Sequence, residues 1–360
     1  MQMKIPMAAL LCCLTCLTAA RADDPPFVRA ARQRQERITG VEMTFKQADY
    51  YPPGALTEMF APEEKGSDKP EPSPERTIES TNKLFIDGHK YRFENNNVAV
   101  GQSGEIYHRT MVSLFDGKNV KTFLPNGITG DKTPVGTVEA SPFATEINSG
   151  SLPPILCWMR PLDATFRFRP LSQAKPTGVS QTIDDDVCEE FELRFGSDVV
   201  EHYWLAAGKD YLPRRISSTA MKTILRQTDI RYVASDVSGW EPSSWVTNEY
   251  SSKGDLQLSQ QIDIVALNLD TPQTAGRFAM LFPRKTDFFD ATDGKTYRVQ
   301  DDGTAKRTEH MYGEELSESK LQPGDTWFRA HKWTLSLGIG AVCGCVLVIG
   351  YRGWKRRQAA

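Results

Sequence analysis

A chain of 360 residues, 39% hydrophobic, 25% charged and formally −3, is too apolar to be a disordered acidic tail and too acidic to bind nucleic acid. Without its two ends the chain is more acidic still. Residues 23–331 hold 36 Lys and Arg against 46 Asp and Glu, a balance of −10 that repels polyphosphate and excludes nucleic acid as a partner.

Residues 1–22 read as a signal peptide. Lys4 gives a short positive region, and Ile5 to Leu17 form an apolar run too short to span a bilayer. Ala20, Arg21 and Ala22 supply the small-x-small cleavage pattern, with Asp23 as the mature N-terminus. Residues 333–351 contain no charge and, at about 1.5 Å per residue, match a hydrocarbon core of roughly 30 Å. Trp333, Tyr351 and Trp354 bracket this run, and Arg352, Lys355, Arg356 and Arg357 follow it. The positive-inside rule then predicts a single-pass anchor in the cell membrane, with residues 352–360 as a basic cytoplasmic tail and the ectodomain facing the periplasm. Gly340 and Gly344 fit a small-xxx-small spacing, through which a weak homodimer is expected.

In the ectodomain, Asp24, Pro25 and Pro26 open a helix that Gly40 closes. The period then changes to two, and Val41, Met43 and Phe45 mark a half-buried strand. Residues 52–76 are rich in Pro and acidic residues and read as a mobile insertion. Asp-Gly pairs at Asp87-Gly88, Asp116-Gly117 and Asp293-Gly294 predict hairpins with type I′ turns. Further strands are expected near 165–168, 189–194, 201–205, 214–218, 223–232, 245–250, 256–268 and 297–300, with short helices near 152–159 and 271–281. The sum is one antiparallel α+β domain, mainly β, over 27–300, and a polar stalk over 301–332.

Residues that could carry chemistry do not assemble into a motif. His89, His108, His202, His310 and His331 are scattered, and no Cys pair has zinc-ligand spacing. Ser103 lacks the second glycine of a nucleophile elbow, Ser172 and Lys175 lack companion motifs, and Phe289 stands where a phosphate loop before Gly294 needs glycine. Asp184, Asp185 and Asp186 lack the alternating spacing of a calcium loop and read as a solvated turn. No enzyme activity, metal or cofactor is expected. Cys157 and Cys188, the two cysteines left in an oxidising compartment, are expected to pair, the alternative being two buried thiols.

Three segments carry a resemblance. Phe115 to Lys118 with Phe123 to Pro125, His202 to Leu205 with Tyr211 to Arg214, and Phe278 to Pro283 with Asp290 and Tyr297 resemble hairpins of the LolA/LolB-like lipoprotein-sorting proteins of bacterial envelopes. The resemblance implies a curved antiparallel sheet forming an incompletely closed barrel, capped by helices, whose concave face receives acyl chains of a lipid or acylated protein. It also implies lining residues: Phe45, Leu84, Ile86, Tyr91, Phe93, Phe115 and Phe123. Two other readings stay open. One is a sensory or protein-interaction module with a packed core; the other is an envelope hydrolase. A filled interior favours the first of these and a continuous apolar cavity favours acyl binding.

Overall fold

A computed structural model describes residues 24–60, 71–100, 106–127, 133–140, 152–164, 170–195, 199–270 and 274–308. The expected signal peptide, the strand at 165–168, most of the stalk, the anchor and Gly340 with Gly344 lie outside the described residues. Among the described residues no helix is long and apolar enough to cross a membrane.

Helix α1 (Pro26–Arg37) comes first, followed by strand β1 (Gly40–Tyr51) and a short helix α2 (Ala55–Phe60). Strands β2 (Arg76–Asp87), β3 (Lys90–Val100), β4 (Ile106–Phe115), β5 (Val120–Leu124) and β6 (Val135–Glu139) come next, and then helix α3 (Pro153–Met159). A meander continues the chain: β7 (Lys175–Ile183), β8 (Asp186–Phe195), β9 (Val199–Ala206), β10 (Leu212–Ala220), β11 (Thr223–Ser235), β12 (Gly239–Tyr250) and β13 (Leu256–Leu269). A 3₁₀ turn (Ala275–Phe278) leads to β14 (Asp287–Asp290), β15 (Lys295–Val299) and β16 (Ala305–Arg307).

The sixteen strands among the described residues form one curved sheet that does not close, in the order β16-β15-β14-β6-β5-β4-β3-β2-β1-β13-β12-β11-β10-β9-β8-β7. Its centre is β1, which pairs with both β2 and β13, so the chain's first strand joins the two meanders. Register shifts at Thr44/Phe45, Arg231/Tyr232 and Glu249/Tyr250 are the bulges that bend long strands into a trough.

Several local expectations change. At the β2–β3 turn Asp87 pairs with Lys90, so the two central residues are Gly88 and His89, and of these Gly88 alone has positive φ (+56°). That is the II′ pattern, with glycine at the first central position, rather than I′. The β4–β5 connection is a four-residue loop in which the Asp116 carboxylate accepts the N–H groups of Lys118 and Asn119, both at 2.8 Å. Part of the insertion is ordered, because residues 55–60 form α2 with Leu56 buried. The helix expected at 271–281 shrinks to the 3₁₀ turn and then runs extended. The sheet continues through Arg307, beyond Gln300. Strand β14 pairs with β6 in parallel, against the antiparallel rule of its neighbours. Before β14, Phe278 packs on Phe85 and Leu114 on the outer face of the sheet.

Candidate functional site

Alternation along the strands gives each face its residues. Val41, Met43 and Phe45 of β1, Leu84 and Ile86 of β2, and Tyr91 and Phe93 of β3 point inward with Met111 and Phe115 of β4. Ile230 and Tyr232 of β11, Trp245 of β12 and Ile262 of β13 continue the same apolar floor. Six of the seven residues expected to line the concave face are therefore on it, with exposures from 0% (Phe45, Leu84, Ile86, Tyr91) to 4% (Phe115). Phe123 is not among them. It pairs across from Gly136, on the outer face, and its ring packs against Phe282 at 6.1 Å between centroids. The resemblance placed an aromatic on β5 but could not tell which way it points, since a shift of one residue reverses the face.

What covers this floor is the chain itself. Leu152, Ile155, Leu156, Trp158 and Met159 of α3 and its N-cap enter the same core cluster, with Trp158 fully buried. Two prolines open α3 and fix its first turn. The indole N–H of Trp158 donates to the Trp240 carbonyl at 2.8 Å. A helix this short leaves most of its C-terminal carbonyls without intrahelical partners. Two buried arginines supply the donors. Arg34 of α1 donates to the Trp158 carbonyl and, at 3.1 Å, to that of Asp210. Arg160 donates to the carbonyls of Met159 (2.9 Å), Ile38 (2.6 Å) and Thr39 (2.6 Å), and reaches that of Gly88 at 3.3 Å. Burial lowers the pKa of Arg34 to about 10 and also lowers that of Arg160; Asp163 and Asp270 oppose the shift at Arg160. Phe27 and Val28 of α1 cover a second part of the floor, against Phe191, Leu193, Tyr203 and Leu205.

One end of the inner face is polar. Gln47, Asp49, Asn82 and Gln260 lie beyond the aromatic residues, and Asp49 accepts hydrogen bonds from Gln47 (3.0 Å) and Gln260 (2.8 Å). Burial raises the Asp49 pKa, with those two hydrogen bonds opposing. Periodicity alone missed this end, because it treats inward polar positions as breaks in the apolar pattern.

The outer face has its own cover. Phe278 packs on Phe85 and Leu114, and Phe282 lies over Gly136 beside Phe288 at 4.9 Å. A Cβ on Gly136 would stand 2.6 Å from the Phe282 ring, so glycine is what lets the ring approach. Lys121 donates to the Met280 carbonyl at 3.0 Å, and Arg277 lies over the Phe85 ring and pairs with Glu42.

Also on the outer face, Glu190 meets His202 Nδ1 at 2.9 Å, and Thr219 Oγ lies 3.4 Å from His202 Nε2. This hydroxyl–imidazole–carboxylate row was invisible in the sequence because its members sit on three strands. Thr219 Oγ also donates to the Val200 carbonyl, and a register shift between Ser218 and Thr219 interrupts the β10–β11 pairing beside it. A hydrolase needs, beyond such a row, donors for an oxyanion and a place for the substrate. The aspartate turn is occupied by cations of the chain: Asp184 and Asp186 pair with Arg214 at 2.9 and 2.8 Å, and Lys209 pairs with Asp186 at 2.8 Å. Among the described residues no group of three or more His, Cys, Asp or Glu could hold a metal ion.

Cys157 and Cys188 are buried thiols in different apolar clusters, not a disulfide. The expected bridge does not form because Cys157 faces the inner core under α1 while Cys188 faces outward beside Ile183 and Trp204. Burial, aided by Asp186, pushes the Cys188 thiol up to about 11.

Two concavities of about 350 and 420 Å³ open on the described surface. The first is bordered by Arg32 and Glu36, the second by Arg215, Asp229, Arg231 and Asp263, and neither is an apolar trough.

No family model matches the sequence, and no curated protein matches it. Solved structures similar to it include a DUF1329 family protein from Desulfovibrio piger, 10% identical with a TM-score of 0.40, covering 71% of this chain and 98% of that one. A LolA superfamily protein from Nitrosomonas europaea is 10% identical with a TM-score of 0.38, over 69% of this chain and 97% of that one. MucB, solved in complex with the periplasmic part of MucA, is 8% identical with a TM-score of 0.18, over 68% and 98%. The group named by the hairpin motifs is thus also among the structural neighbours. Scores this low leave function to be reasoned from the two faces of the sheet and their covers.

Proposed function

We propose that this protein is a non-enzymatic, membrane-tethered protein of the cell envelope that receives an acyl chain, of a lipid or an acylated protein, on its inner apolar face. The acyl chain would enter where α3 lies in this structure. One observation carries the reading: among the described residues, an apolar floor spanning ten strands is covered by two helices, α3 of seven residues and α1 of twelve, and not by a second layer of comparable extent. A sheet face normally needs a full layer to bury it. A helix of about two turns, held at its end by arginine–carbonyl hydrogen bonds, is a cover that can be withdrawn with little rearrangement of the sheet. The uncharged run at 333–351 supports the tether, and the basic tail after it supports a periplasmic domain.

The test uses the full chain, extracted gently from its host membrane and weighed by native mass spectrometry, beside Arg160→Ala. Co-purifying lipid on the wild type, or uptake of decan-1-ol that rises about tenfold in the variant, supports acyl binding. A variant that keeps its wild-type circular dichroism yet takes up nothing overturns it. The second reading, a sensory or interaction module, is favoured by a specific feature: side chains of α3 and its N-cap enter the core cluster on the inner face among the described residues. Absence of uptake by either protein would move the assignment to that module.

A further inference from the structure

Leu281 is the most exposed large hydrophobic side chain among the described residues, at 92%. Its neighbours put it there. Met280 packs against the cluster of Phe85 and Leu114, and Phe282 lies over Gly136. In an extended chain successive side chains point opposite ways, so residues 280 and 282 on the sheet turn residue 281 toward solvent. A lone apolar surface residue is ordinary; this one stands in company.

Phe282 belongs to a row of four rings across the outer face. Phe123, Phe282, Phe288 and Tyr297 follow one another with centroids 6.1, 4.9 and 5.4 Å apart. Phe288 is buried and the other three are half-buried. Arg307 pairs across from Tyr297 and so continues the row on the same face. Arg284 and Lys285 come shortly after Phe282, and the Lys285 N–H donates to the Val299 carbonyl at 2.8 Å, which holds them at the end of β15.

Arg284, Lys285 and Arg307 are exposed, and none makes an ion pair among the described residues. The carboxylates nearby are mostly committed. Asp287 pairs with Arg298, Asp293 engages Tyr297 and Lys295, and Asp290 and Asp302 each accept from a threonine. Asp301 alone is left to balance the three cations. On an ectodomain with a balance of −10, this lobe is a local exception.

An exposed leucine beside half-buried aromatic rings and unpaired Arg and Lys suits a membrane interface, where apolar groups enter the acyl boundary and cations meet phosphates. The course of the chain favours that occupant. The Thr308 N–H donates to the Thr296 carbonyl on β15, and 24 residues then separate Thr308 from the uncharged run that begins at Trp333. Fully extended, they span at most about 85 Å. Of the whole sheet, this lobe is nearest along the chain to the anchor. Tethering raises its effective concentration at the bilayer, so a small surface suffices.

We infer that the outer face of β14–β16 docks on the phospholipid surface of the membrane that holds the anchor, with Leu281 inserted and Arg284, Lys285 and Arg307 on lipid phosphates. The inference rests on the tether reading and is independent of acyl binding.

The test reconstitutes the full chain in nanodiscs of phosphatidylcholine and phosphatidylglycerol in equal parts. Photoreactive p-benzoylphenylalanine replaces Leu281 in one variant and Val187 in a control; Val187 is 65% exposed on β8, near the opposite edge of the sheet. After illumination, mass spectrometry should find lipid adduct at position 281 at least tenfold above that at 187. Adding Arg284→Glu and Lys285→Glu should cut that yield at least threefold, while Lys222→Glu, at an exposed cation of the β10–β11 turn, leaves it unchanged. Three outcomes with the chain retained in the disc overturn the inference: equal lipid adducts at both positions, an adduct to a second copy of the chain, or no adduct. A chain that leaves the discs overturns the tether reading, and the docking inference with it.

Discussion

The two faces of the sheet are each covered by a piece of the chain, and the two covers differ in kind. Inside, α3 inserts Trp158 and its neighbours into the core and is fixed by hydrogen bonds from Arg34 and Arg160 to main-chain carbonyls. Outside, the 275–283 segment lays Phe278 and Phe282 on the sheet as two separate studs, the second over a glycine. The inner cover buries several side chains, but its arginine hydrogen bonds run to main-chain carbonyls, which any residue presents. The outer cover is small but keyed to one residue, Gly136. A cover meant to move can be held the first way; a permanent one gains from the second.

Substitutions put that contrast at risk. The greatest loss is expected at Trp158→Ala, which removes a fully buried indole and its hydrogen bond to Trp240. A loss of about 3–5 kcal/mol in denaturant unfolding is expected for such a truncation. A loss below about 1 kcal/mol would mean that α3 is not part of the folded core. Next comes Gly136→Ala, where a Cβ 2.6 Å from the Phe282 ring forces the outer segment to shift, at about 1–3 kcal/mol. Adding Phe282→Ala should then cost less than it does alone, a coupling that a double-mutant cycle would measure. Additive effects would separate the ring from the glycine.

A smaller effect is expected at Cys188→Ala, about 1 kcal/mol for a small buried group. Loss of a disulfide would cost roughly 2–5 kcal/mol, so thermal unfolding with and without reductant distinguishes the two. Peptide mapping under non-reducing conditions should find both Cys157 and Cys188 as thiols.

The last and slightest effect has the opposite sign. Burial raises the Asp49 pKa in the folded state, so the protonated form favours folding, and this contribution is lost as pH rises through the folded value. Asp49→Asn should therefore raise the melting temperature at pH 7, with the gain shrinking toward pH 4. A variant less stable at pH 7 would show that the carboxylate is better satisfied than its two amide partners indicate.

Local patterning settled a good part of the architecture. Alternation placed Val41, Met43 and Phe45 on one face of β1, the double proline set the start of α3, and β-rich runs around the Asp-Gly pairs located the hairpins, because these signals are local and of short period. The turn types were less legible: Asp87 closes the β2 ladder instead of entering the turn, a choice made by register and not by the dipeptide.

Long-range assembly settled the remainder. Phe123 turned outward, away from Phe115, because Val120 pairs with Phe115 and Phe123 lies three residues, an odd number, further along β5. Cys157 and Cys188 ended on opposite faces of the sheet, which no spacing reveals. The filling of the trough by α3, the arginines that close it and the polar end built around Asp49 all join residues more than thirty positions apart. Such contacts depend on which strand lies beside which, and that order is set by the long-range pairing of β1 with β13, to which local patterning is blind.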